Sequence, residues 1–273
     1  MRDLLKADLK RVFKDKLFII LSILAIVFAL STPLLYKALF SAFDIEEMPE
    51  LEMFGIFITA KSMFFTSFSP GNNFGIILPI MLAIVLCKDF SQGTIRNKIV
   101  SGKSRTSVYF SLLITCVIYM CAFILVQALI TLAVSLIFFE YQSEAFTFND
   151  FGYLMASIGF EMLVYVFISA LLVFFIILMK SSGLSIVMYF ALNFTMLIVG
   201  AIMQTAMLFI DTTHSAYGIL EFIITANVFS STAIGGGITY ELKEILALLL
   251  PNIVFTATFI MSGLLIFKKK DLK

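Results

Sequence analysis

The sequence predicts an all-α polytopic membrane protein. It has six transmembrane helices, an N-terminal interfacial amphipathic helix, a re-entrant extracellular element before the last span, and both termini in the cytoplasm. Three observations lead there. First, 61% of the 273 residues are hydrophobic and only 14% are charged, with a mean hydropathy of +1.05; a soluble domain is nearer half apolar and a quarter charged. Second, six apolar segments are long enough to cross a bilayer, alone or with their flanks. Third, sixteen of the 19 Lys and Arg residues fall on one side of that arrangement, which the orientation rule makes the inside.

Met1 to Lys16 carries six basic residues, with Leu5, Leu9, Val12 and Phe13 on one helical face. That pattern reads as a helix lying in the inner interface, or equally as a positive flank holding the first span. The apolar run that follows starts late, is long and has no small-residue cleavage site, which speaks against a cleaved signal peptide. Residues 17–273 then form one transmembrane domain, with a first span at 17–36. Lys37 to Asn73 contains Asp44, Glu46, Glu47, Glu50 and Glu52 and only two basic residues, so it is an outside loop. Its later part, Met53 to Phe68, is apolar enough to lie against the membrane or dip into it, but not to cross alone.

The second span is placed at 70–87. Phe74 to Cys87 alone makes about 21 Å of helix against a ~30 Å hydrocarbon core, so the helix starts near Pro70, and Pro79 marks a kink. The third span, 108–139, is the opposite case: about 48 Å if straight, which requires tilt, a kink or projection beyond the bilayer. Glu140 to Phe151 is an acidic outside loop. The fourth span, 153–179, returns to Lys180, and the fifth, 183–204, goes out again. Thr205 to Glu244 holds Asp211, Glu221, Glu241 and Glu244, with Lys243 and the only histidine, His214. Within it Ile219 to Ile234 is apolar and ends at Gly235-Gly236-Gly237, a pattern for a re-entrant helix too short to span. A seventh span there would carry the basic C-terminal tail outside, against the orientation rule. The last span is 245–267.

The organising stretch is the polar island Lys88 to Ser107, KDFSQGTIRNKIVSGKSRTS, with five basic residues and one acid. Ser91 is a plausible cap for a short helix with Ile95, Ile99 and Val100 on one side and Arg96 and Lys98 elsewhere. Gly102 suits the stop of that helix and Ser104 the cap of the next.

Few residues promise chemistry. Gly102-Lys103-Ser104 ends like a P-loop, but position 97, where the first glycine belongs, is Asn, and no buried strand precedes it. Cys87, Cys116 and Cys121 fall in apolar segments without CxxC spacing. His214 has no partner at metal-ligand spacing, and no Ser-His-Asp arrangement is recognisable. A catalytic role, a metal and a nucleic-acid partner are therefore not expected. Glu161 stands near the middle of the fourth span, where a carboxylate costs on the order of 2.5–3.5 kcal/mol, so it is a candidate for the translocation path or a protonated acid bonded to a neighbouring helix. Asn193 in the fifth span is a weaker candidate for the same path, more readily a packing feature, and Pro251-Asn252 in the sixth is a kink or packing feature.

DFSQGTIRNKIVSGKSR closely resembles the loop between the second and third spans of ABC transporter permeases of the type-2 exporter class (ABC-2 family). The family pattern of an acid, Gly-Thr, an aliphatic, a basic residue and a later Ser-Arg turn is filled by Asp89, Gly93, Thr94, Ile95, Arg96, Ser104 and Arg105. Asp89 replaces the more frequent Glu, and the Pro often found near Gly102 is missing. The chain looks most similar to Gram-positive permeases for peptide-antibiotic export and immunity. The resemblance implies a non-catalytic half-transporter in a bacterial plasma membrane, paired with a second permease chain, identical or paralogous. A separate ABC ATPase subunit, carrying ATP and Mg, would dock on a coupling helix made by Asp89, Gly93, Thr94, Ile95, Arg96, Ile99 and Arg105. Ile95, Ile99 and Val100 would plug an apolar groove while Arg96, Lys98 and Arg105 meet acids or lipid phosphates. Two rivals use the same residues without ATP: a secondary carrier or channel relying on Glu161, which would be expected to show an internal repeat that is not visible here, and an immunity or sensor subunit using the acidic outside loops.

Overall fold

The computed structural model of the chain describes residues 1–43, 59–71, 73–142, 146–210, 214–227 and 242–270. Among them the structure is all-helical, without strands. Ten helices follow in order: α1 Arg2–Phe13, α2 Lys16–Phe43, α3 Ala60–Thr66, α4 Asn73–Ser91, α5 Thr94–Val100, α6 Arg105–Phe138, α7 Phe148–Met179, α8 Ser182–Met207, α9 Ser215–Ala226 and α10 Leu242–Lys269. Six of these, α2, α4, α6, α7, α8 and α10, are long and apolar enough to cross a membrane, so the chain is a multi-pass membrane protein.

The spans keep the expected order but not always the expected ends. The second runs over Asn73–Ser91 rather than starting near Pro70; it gains its length at the basic end, through Lys88 and Asp89. Gly75 permits the turn that precedes α4. A Cβ there would collide with the Ser69 carbonyl and the Pro70 backbone, so only glycine lets the 69–70 turn fold so closely onto α4. The third span extends over 34 residues. The fourth starts early because Thr147 and Asp150 form a capping box, in which the Asp150 carboxylate accepts from the Thr147 N–H at 2.7 Å.

The core is built on α6 and α7. Tyr165, Ile168, Leu171, Leu172 and Ile176 of α7 are fully buried, with α6, α8 and α10 packed around them. The outer spans α2, α8 and α10 leave long apolar faces exposed, such as Ile19, Ile23 and Ile26 on α2, the pattern of a bilayer-facing surface. In Met53 to Phe68, the described residues from 59 onward dip into the bundle: Phe64 and Phe68 are fully buried, and the Phe68 carbonyl accepts from the Tyr165 hydroxyl at 2.8 Å. In the 219–234 stretch, α9 ends at Ala226 and packs on α8 and α10; residues 228–234 and the three glycines lie outside the described residues, as do Asp211, Glu241 and the acids at 44–52.

Candidate functional site at the basic end of the bundle

Contacts gather α1, the α4–α5–α6 turn, the α7–α8 turn and the end of α10 at one end of the bundle, with the basic residues. Lys270 Nζ donates to the carbonyls of Ile177 at 2.9 Å and Leu178 at 2.5 Å, and Arg105 donates to those of Lys268 and Lys270, each at 2.9 Å. Cations thereby neutralise the C-terminal ends of α7 and α10.

The short helix α5 is defined by two left-handed glycines. Its N-cap is Gly93 at φ 68°, not Ser91, whose hydroxyl instead donates to the Lys88 carbonyl at the end of α4. The sharp α4–α5 bend needs a residue that tolerates positive φ, which a serine cap does not supply. At the other end Lys103 N–H bonds the Lys98 carbonyl and Gly102 N–H that of Ile99, a Schellman stop with Gly102 at φ 88°. Ser104 then caps α6, accepting from the Ser107 N–H at 3.2 Å.

The faces of α5 differ from the expected ones. Ile95 does not present itself to a partner: it is 2% exposed and belongs to the chain's own core. Ile99 is half-buried against the same core, and Val100 alone of the three aliphatics is out in the open, at 79% exposure. A seven-residue helix wedged under α4 and α6 needs one inward anchor, and Ile95 takes that place. Thr94 is half-buried, and Arg96, Asn97 and Lys103 are exposed. Arg105 is turned to the end of α10 rather than outward.

Asp89 is fully buried and ion-paired to Arg11 of α1, with Lys98 Nζ 3.8 Å away. Lys98 also reaches Asp8 Oδ1 at 2.5 Å, while Ser111 of α6 donates to Asp8 Oδ2 at 2.6 Å. Lys88 Nζ bonds the Asp15 carboxylate at 2.6 Å, and the Tyr119 hydroxyl donates to the Leu9 carbonyl at 2.6 Å. Three acids and three cations thus close a charge-balanced network that ties α1 to α4, α5 and α6. Burial lowers the Lys98 pKa, opposed by the Asp8 carboxylate; burial likewise lowers Arg11, opposed by Asp8 and Asp15. Burial by itself would raise Asp15, but the hydrogen bonds from Lys88 and the Leu17 N–H and the charges of Lys88 and Arg11 outweigh it and hold this carboxyl below the ordinary value.

Sequence reading missed this network because it treated α1 as a membrane-facing helix. Its buried stripe is Leu4, Asp8 and Val12, one turn apart, whereas Phe13 is exposed. The available signal was an acid at the centre of an i, i+4, i+8 stripe in an otherwise basic segment.

Glu161 and Asn193 are both buried, at 6% and 3% exposure. Asn193 Nδ2 lies 3.4 Å from the Tyr189 hydroxyl, and Tyr165 is within electrostatic reach of both Glu161 and Tyr189. Ser157, Glu161, Tyr165 and Ser169 follow at four-residue intervals on α7, as do Ser185, Tyr189 and Asn193 on α8, and all are buried. The two candidates therefore lie on two buried polar files, one on α7 and one on α8, that come within electrostatic reach of each other at Tyr165 and Tyr189. No hydrogen bond to Glu161 occurs among the described residues. The three cysteines are free, and no cluster of metal-ligating side chains occurs among the described residues.

Among curated proteins, none matches the chain. A family model described as "Protein of unknown function (DUF2705)" matches residues 26–273, which take in five and a half of the six spans, the basic loop and the polar file, and the chain belongs to that family.

Proposed function

We propose that the chain is the membrane permease subunit of an ATP-driven type-2 ABC exporter, non-catalytic itself, that moves an amphipathic substrate such as an antimicrobial peptide or a lipid. The observation that carries this reading is the way α5 is held. It is stapled to α1 and α4 by the pairs of Lys98 with Asp8 and Asp89 and to the core by Ile95, and with the turn that follows it displays Arg96, Asn97, Val100 and Lys103 at the basic end of the bundle. A helix so held cannot move without moving the ends of the second and third spans, which is what a coupling element must do. The resemblance of DFSQGTIRNKIVSGKSR to the type-2 permease loop supports the same reading. ATP and Mg would belong to a separate ATPase subunit docked on this face, and a second permease chain would complete the path. The excess of Lys and Arg favours placing this end, with both termini, in the cytoplasm of a bacterial cell.

The test is purification of the tagged chain from its native membrane in mild detergent, followed by ATPase assay of what accompanies it. A stoichiometric ATPase that is lost on Val100→Asp or Arg96→Glu, with the fold intact, supports the proposal. Recovery of the chain alone in several detergents overturns it. Glu161 favours a second reading, an ion-coupled carrier, because a buried carboxylate with no hydrogen bond among the described residues is a natural ion or proton site; transport driven by an ion gradient without ATP would establish it.

A further inference from the structure

Toward the end of the bundle opposite the basic one, a cavity of about 280 Å³ lies between α7, α8, α9 and α10. Its wall includes Phe167, Met196, Val199, Phe222 and Phe259, and the one polar side chain among its described lining residues, Asn227, gives its Nδ2 to the Met196 carbonyl at 2.7 Å. Among the described residues its wall is therefore almost wholly apolar. Counted at 1.5 Å per residue from the basic ends of α8 and α10, Met196, Val199, Phe255 and Phe259 sit about 15–25 Å in, the middle and far half of a ~30 Å hydrocarbon layer. Phe222 and Phe255 belong both to the cavity wall and to the exposed surface, where Ile198, Ile219 and Val254 continue the same apolar face. The mouth thus opens onto the bilayer-facing surface.

We propose that this cavity is a binding site for one acyl chain of a bilayer lipid, which enters between α9 and α10. Its volume is roughly twice the ~150 Å³ of an apolar cavity that holds one benzene, so by the same ratio it has room for about ten carbons of an alkyl chain. A dry apolar space of this size lacks partner atoms on its walls, and at this depth the only abundant material that can supply them is lipid hydrocarbon. The short helix α9 forms one wall through Phe222 and Ile223, so the acyl chain also props the segment that links α8 to α10.

The experiment uses the full chain in nanodiscs of phosphatidylcholine and phosphatidylglycerol, doped with phosphatidylcholine bearing a diazirine along its acyl chain. After irradiation, adducts are mapped by mass spectrometry. Adducts on Met196, Phe222 and Phe255 are expected to exceed those on Ile19 and Ile23, which face the bilayer on α2 without a cavity, by about fivefold. Val199→Phe and Ala226→Phe, filling the space from different helices, should each remove that excess and leave the α2 adducts unchanged. Lining adducts no more frequent than those on α2, or an excess undiminished in both filled variants, would overturn the site. The wild-type comparison decides even if one variant fails to fold. Because the readout is a lipid adduct, failure here leaves the ATP-coupled reading untouched.

Discussion

Lys98 Nζ lies 2.5 Å from Oδ1 of Asp8, a carboxylate only 2% exposed at the centre of the N-terminal helix. This pair joins the first helix of the chain to the turn between the second and third spans, ninety residues later. With Arg11–Asp89 and Lys88–Asp15 it makes α1 part of the loop's scaffold rather than a separate raft on the membrane. Lys98→Met leaves Asp8 buried with no cation at hydrogen-bond distance among the described residues. A loss of about 3 kcal/mol is expected, the low end for breaking a buried pair because the lysine head is partly solvated. It is read as a lowered midpoint of thermal unfolding in detergent. Asp8→Leu combined with Lys98→Met should recover much of that loss, and a double variant no better than the single one would show that the pair does not act as a unit.

Ile95 and Val100 separate folding from docking. Ile95→Asp puts a carboxylate into the core and should lower the unfolding midpoint whatever partner is present. Val100→Asp changes an open side chain and should leave the midpoint within about 0.5 kcal/mol of wild type while abolishing association with the proposed ATPase subunit. Equal midpoints for both variants would contradict the burial of Ile95.

Acid should loosen the α1 latch. The folded-state pKa of Asp15 lies below its ordinary value of 3.8. Its contribution to stability is therefore fully present above that value and is lost as pH falls through the folded pKa. Asp15→Asn should start with a lower midpoint at neutral pH and show a smaller acid-dependent decrease below about pH 4. Parallel acid profiles for the two proteins would mean that the Lys88 pair adds nothing.

The contact between α6 and α10 has little tolerance. A Cβ at Gly263 would come within 2.9 Å of the Tyr109 hydroxyl, which donates to the Ile260 carbonyl at 2.8 Å. Gly263→Ala should cost about 1–3 kcal/mol by overpacking. Adding Tyr109→Phe removes the crowding oxygen, so the pair of substitutions should be milder than the sum of the single ones in a double-mutant cycle of unfolding midpoints.

Glu161→Gln tests the polar file. The acid has no hydrogen bond among the described residues to lose, so stability should hold or rise slightly while the proposed transport changes. Wild-type transport in that variant would remove Glu161 from the path.

Much of this chain was legible from residue order alone. Six spans, their sequence along the chain and the sorting of basic residues follow from lengths of apolar run and positions of Lys and Arg, which are one-dimensional properties. Gly102 and Ser104 were legible too, since Schellman stops and N-caps are local backbone chemistry. The limits of the second span were not: its length comes from Lys88 and Asp89, whose charges look like the end of a helix until Asp15 and Arg11 neutralise them. Which side of α5 faces inward, which stripe of α1 is buried, and that the files carrying Glu161 and Asn193 approach each other at Tyr165 and Tyr189 were decided by tertiary packing. Each depends on residues tens of positions apart meeting in space. A buried charge is affordable only once its partner has been brought to it, and no local pattern in the sequence names that partner.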